Sequence, residues 1–139
     1  MADFPFPELD WEGTRPFWEG AARGELVIPR CAACARLVWY PRERCPACGG
    51  DDLPWVPVSG RGTLFSWTVV RHPFAKPFAE HVPFATGLVS LAEDPAVRLA
   101  TLLVDGDPAA LRVDQPVRVV FRALPWAGAP VPAPLFTPA

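Results

Sequence analysis

Hydrophobic positions in this chain fall into short runs, not long helical stripes. Phe17, Trp18 and Ala21 recur at helical spacing between Thr14 and Leu26 and predict one short helix. Thr14 is placed to cap it, Pro16 suits its first turn, and Gly24 suits its stop. Leu26 to Arg30 reads as a strand. Leu37 to Tyr40 is a second β-rich run, ended by Pro41, and Asp51 to Pro57 is placed to close a small β unit around them.

From Val58 onward the pattern is strands alone. Thr63 to Arg71 alternates, which predicts Phe65, Trp67 and Val69 on one face. Phe84 to Leu91 and Val97 to Leu103 are two further strands, joined by the turn Glu93-Asp94-Pro95-Ala96. Asp107-Pro108 opens a short helical turn, Gln115 to Arg122 is a fourth strand, and Leu135-Phe136 offers a last short pairing after a loop from Pro125 to Pro134. Five short strands with a helical turn between the third and fourth predict an OB-fold barrel. The fold class is therefore mainly β, in three parts: an arm and helix (1–26), a small ribbon (27–57) and the barrel (58–139).

The chain carries four cysteines, all within Cys31-Ala32-Ala33-Cys34 and Cys45-Pro46-Ala47-Cys48. Two C-x-x-C pairs at this spacing supply four thiolates to one tetrahedral metal, so Cys31, Cys34, Cys45 and Cys48 are the predicted zinc ligands of a zinc ribbon. Iron suits the same ligands. With no open position, the metal would hold shape and do no chemistry. Each knuckle needs a turn, and Gly49 after Cys48 can take a positive φ. Ala35 stands at the equivalent place after Cys34 and predicts some strain. The start Met1-Ala2-Asp3-Phe4-Pro5 lacks a basic, apolar leader, which predicts a cytoplasmic chain with reduced thiols.

Charge narrows the partners. The formal net charge is -2, and lysine occurs once, at Lys76, among thirteen bases. A single-stranded nucleic-acid binder, the rival reading for an OB-fold, would carry a basic excess. No apolar run reaches the ~20 residues of a membrane span.

Several stretches together resemble a known family. They are Arg15-Pro16-Phe17-Trp18-Glu19-Gly20 with Gly24-Glu25-Leu26, the two knuckles with Pro41, and Val58-Ser59-Gly60-Arg61-Gly62-Thr63-Leu64-Phe65-Ser66. Val82-Pro83-Phe84 and the closing Leu135-Phe136-Thr137-Pro138-Ala139 complete the set. This order is similar to that of the small proteins with a rubredoxin-like zinc ribbon and an OB-fold that accompany thiolase-superfamily enzymes. Ala35, where the family usually has Gly, and Tyr40, where Pro often stands, depart from its pattern. The resemblance implies a non-catalytic subunit of a hetero-oligomer. Its partner would be a thiolase-like enzyme or an aldolase acting on acyl-CoA thioesters, steroid side-chain thioesters among them. Enoyl-CoA hydratases are related partners.

The residues themselves set out no nucleophile, base and orienting acid together. The candidate contacts for a CoA thioester are Arg71, His72 and Lys76 in the loop from Arg71 to Pro83, and Arg61 in the linker Ser59-Gly60-Arg61-Gly62. Arginine offers paired donors to phosphate, while Phe74 and Phe78 could cover an apolar group. The aromatic arm of Phe4, Phe6 and Trp11 could lie on a partner or fray, and Phe17 and Trp18 could pack on the ribbon or anchor a partner.

Overall fold

The computed structural model describes residues 7–124 and 132–139. Phe4 and Phe6 of the aromatic arm, and most of the loop after Pro125, lie outside them. Helix α1 spans Arg15–Ala22. Thr14 occupies its N-cap position, but the side chain makes no capping bond; the Trp11 carbonyl takes the Thr14 and Arg15 amides instead, at 3.0 and 2.8 Å. At the other end, Gly24 takes φ +75° while the Glu25 amide bonds Gly20 O at 2.9 Å and the Gly24 amide bonds Ala21 O at 3.0 Å. This Schellman closure requires the left-handed residue that glycine supplies. Phe17, Gly20 and Ala21 form the buried face.

Strands β1 (Val27–Pro29) and β2 (Trp55–Pro57) pair antiparallel and bracket the cysteine knuckles. The expected strand at Leu37 to Tyr40 does not form. Among the described residues, one bridge, Arg30 with Leu37, and one bond, Val38 N–H to Pro29 O at 2.8 Å, are all that pair it. Pro41 ends the run, and Tyr40 already turns outward, 60% exposed.

The barrel comprises β3 (Arg61–Val70), β4 (Phe84–Leu91), β5 (Arg98–Leu103), β6 (Pro116–Ala123) and β7 (Pro132–Pro138). Its closed order is β3-β4-β5-β7-β6, the Greek-key closure of an OB-fold. Leu64, Val89, Leu99, Val117 and Phe136 fill the inside, each at most 2% exposed.

Two sequence expectations are corrected here. Strand β3 carries a bulge between Leu64 and Ser66. A bulge inserts a residue and switches the faces beyond it. Leu64 therefore shares the inner face with Trp67, while Phe65 lies outside, 43% exposed under the Arg98 guanidinium. The last pairing is also a full strand, seven residues in register with β6 from Pro132 to Pro138. Prolines hide it in the sequence, yet they share one parity. The Phe136 carbonyl accepts from Val104 N–H at 2.9 Å and the Pro134 carbonyl from Thr101 Oγ1 at 3.3 Å, so that parity faces β5. There β7 pairs through a single residue couple, Leu103 with Phe136, and the missing proline donors break no ladder.

Ribbon and barrel share one core. Phe17, Leu26, Ile28 and Leu37 pack in the same cluster as the barrel interior, and Trp39, Trp55 and Trp67 are half-buried against it. The β4–β5 turn ties the two parts. Asp94 pairs with Arg36 at 3.5 Å, and Glu93 accepts from Ser59 N–H at 3.0 Å and from its hydroxyl at 2.5 Å.

Candidate functional site

The four cysteine sulfurs converge, all within 4.8 Å of one another. Cys31 and Cys48 Sγ are 3.5 Å apart, and Cys34 and Cys45 Sγ 3.6 Å. A tetrahedron with metal–sulfur bonds of about 2.3 Å has edges of about 3.8 Å, so the spacing fits one zinc ion. The two knuckles repeat one bonding pattern. Ala35 N–H reaches Cys31 O and Gly49 N–H reaches Cys45 O, both at 2.8 Å. The Cys31 and Cys45 amides then bond Arg36 O and Gly50 O at 2.9 and 2.7 Å. A side chain at Gly50 would start 3.2 Å from Cys31 Sγ, so glycine leaves room for the cluster.

The electrostatics agree with a cation. The amide of Cys48, helped by that of Ala47, stabilises a thiolate on Cys45 and lowers its pKa to about 7, against the cost of burial. Cys48 receives the Gly50 amide at 3.4 Å, yet the crowd of Cys31, Cys34 and Cys45 sulfurs outweighs it and pushes Cys48 up to about 12. Four thiolates gathered this closely repel each other until a dication joins them.

Ala35 takes φ +65°, where Gly49 takes +78° in the second knuckle. The left-handed conformation costs a Cβ-bearing residue about 1 kcal/mol. Ala35→Gly should therefore stabilise the metal-loaded protein by up to ~1 kcal/mol, read as a higher midpoint in denaturant. An unchanged or lower midpoint would mean the first knuckle is unstrained.

A second feature lies on the seam between α1, the inter-knuckle segment and the barrel exterior. It is a cleft of about 690 Å³. Phe17 and Trp18 of α1 with Trp39 and Tyr40 form one wall; Leu88 and Leu102 mark the barrel wall. Ser66, Thr68, Thr86 and Thr101 add hydroxyls, and among the described residues no charged side chain lines it. Phe17 and Trp39 rings sit 5.0 Å apart, and the Trp39 indole nitrogen is buried with no acceptor among the described residues. Sequence reading missed this cleft.

The four CoA candidates are not brought together. Arg61 opens β3, while Arg71, His72 and Lys76 follow its far end, about 30 Å along the strand at the usual rise. His72 meets the Phe74 ring edge-on at 5.1 Å, and Phe74 is 84% exposed. None of the four lines the cleft. Among the described residues, no helix is long and apolar enough to cross a membrane.

Comparison with known proteins decides the family. Residues 18–54 match the model of the ChsH2 rubredoxin-like zinc ribbon domain, and residues 55–122 that of the ChsH2 C-terminal OB-fold domain. The chain belongs to the ChsH2-type (DUF35) zinc-ribbon and OB-fold family, and zinc is its metal. A solved "Ltp2-ChsH2(DUF35) aldolase" contains a chain that is 33% identical, with TM-score 0.80, covering 96% of this chain and 98% of that one. A probable enoyl-CoA hydratase alpha subunit of Thermomonospora curvata is 37% identical over 88% of this chain, but this spans only 37% of the relative's length. The benzoylsuccinyl-CoA thiolase subunit BbsA of Thauera aromatica is 30% identical, covering 81% of this chain and 68% of the relative.

Proposed function

We propose that this DUF35 protein is a non-catalytic subunit of an acyl-CoA-processing enzyme, a thiolase-like enzyme or aldolase. We assign zinc to Cys31, Cys34, Cys45 and Cys48. Four protein thiolates leave no position for substrate, so the ion supplies structure and no Lewis-acid chemistry. Named roles of the relatives support the enzyme class: an aldolase assembly, a hydratase subunit and a thiolase subunit, with acyl-CoA substrates named for the last two.

The observation that carries the reading is the uncharged aromatic cleft. It suits the apolar acyl part of a thioester, held against Trp39, Leu88 and Leu102 while the enzyme partner does the chemistry. The same barrel face binds oligonucleotides in other OB-folds. Here it lacks the cations that phosphates need and is partly roofed by α1, which argues against nucleic acid.

The test is affinity purification of the tagged chain from its own cells. A stoichiometric thiolase-like or aldolase partner is expected. Leu88→Asp, at a position 37% exposed and so tolerant of change, should leave that assembly intact. It should raise the KM for the thioester about tenfold by placing a charge against the apolar chain. Recovery of nucleic acid and no enzyme would overturn the reading.

A further inference from the structure

We propose that Arg61 and Arg118 form a subsite for one phosphate group of a small-molecule ligand. The β3–β6 register sets these residues directly opposite each other. Opposed residues in an antiparallel pair project from one face with Cα atoms about 5 Å apart. Both are exposed, and among the described residues neither has a carboxylate within ion-pair distance.

Like charges placed directly opposite destabilise a sheet. The local backbone nevertheless enforces this pair. Gly60 takes φ +76°, and a Cβ there would lie 2.2 Å from Val119 Cγ1. Val119 N–H bonds Gly60 O at 2.8 Å. Glycine thus lets the linker press against β6, and that contact fixes Arg61 over Arg118.

The surroundings select a phosphate. Nearby, Asp105 is already held by both terminal nitrogens of Arg122. Glu93, beside the linker, is occupied by Ser59. One guanidinium suffices for one carboxylate, as Arg122 shows. Two guanidiniums side by side, with both local carboxylates engaged, match a dianion with three acceptor oxygens. Arg98 adds charge on the same face, stacked 3.8 Å over Phe65. The cationic patch holds few arginines, with Glu93 beside the linker, on a chain of net charge -2, so it fits a single phosphate group and not a polyanion.

Only the choice of CoA as one probe rests on the acyl-CoA reading; inorganic pyrophosphate is the other. Both are titrated calorimetrically into the zinc-loaded full chain at low salt. Arg61→Gln and Arg118→Gln should each weaken pyrophosphate at least about fivefold, and the double variant should abolish binding. Arg30→Gln, which removes an exposed arginine on the ribbon, should change it less than about twofold. Without anion, the two single variants should melt about 1–2 °C higher, because the repulsion is gone. That gain distinguishes lost binding from lost folding. Equal affinity in all variants, an equal loss in Arg30→Gln, or no binding of either probe by wild type at about 10 mM would overturn the subsite. So would retention of an acidic peptide through Arg61 and Arg118 without pyrophosphate binding. Pyrophosphate binding with CoA bound no tighter would uphold the subsite and count against the acyl-CoA reading instead.

Discussion

Chelation of zinc is expected to melt the knuckles while the barrel persists. The metal cluster has little else to hold it: its own buried residues are Cys31, Val38 and Cys45, with Cys34 and Leu53 at the edge. Structural zinc contributes roughly 10 kcal/mol or more to small sites at neutral pH, far above what so few apolar contacts supply. The strands flanking the knuckles differ. Leu26 and Ile28 sit in the main core and should keep β1 in place. Hydrogen exchange should therefore show lost protection at Ala35, Gly49 and Cys45 and retained protection across β3 to β7. Cys45→Ser should have the same effect. Acid should mimic the chelator, since protons compete for the thiolates and metal affinity falls as pH falls. Trp39 and Tyr40 lie between the knuckles and wall the cleft, so under the proposed function loss of metal should also release the proposed enzyme partner and thioester. Full protection of the knuckle amides after verified zinc removal would refute this.

The ligand set was legible in sequence because its chemistry is local: four thiolates within eighteen residues, each pair on one turn. Even the strain at Ala35 could be read, since the second knuckle shows glycine at the equivalent place. The cleft was not legible. Its walls come from α1, the segment after Leu37, strands β3 to β5 and β7, and only three-dimensional register brings these together. The bulge after Leu64 made matters worse, because strict alternation put Phe65 with Trp67. Arg118 was invisible for a similar reason: its relation to Arg61 exists only across strands fifty-seven residues apart in sequence. Long-range pairing, not local propensity, decides such sites.

Phe136→Ala is expected to destabilise the protein by about 3–5 kcal/mol, the range for truncating a fully buried phenylalanine. Phe136 is 0% exposed and heads the buried side chains in volume. It also occupies the point where the barrel closes. It pairs with Val119 on β6 and with Leu103 on β5, and the latter is the single couple joining β5 to β7. Prolines leave β7 few donors toward β5, so side-chain packing must hold that seam. The variant should melt more than about 10 °C lower, while Val113→Ala, at a position 62% exposed, should shift by no more than about 2 °C. The consequences reach the cleft. Helix α1 packs on β7, and Leu135, next to Phe136, lines the cleft floor. At temperatures where the variant is still folded, binding of an apolar ligand should weaken more than the zinc content changes. A loss below about 1 kcal/mol would mean that the β5–β7 seam is held by something other than this ring.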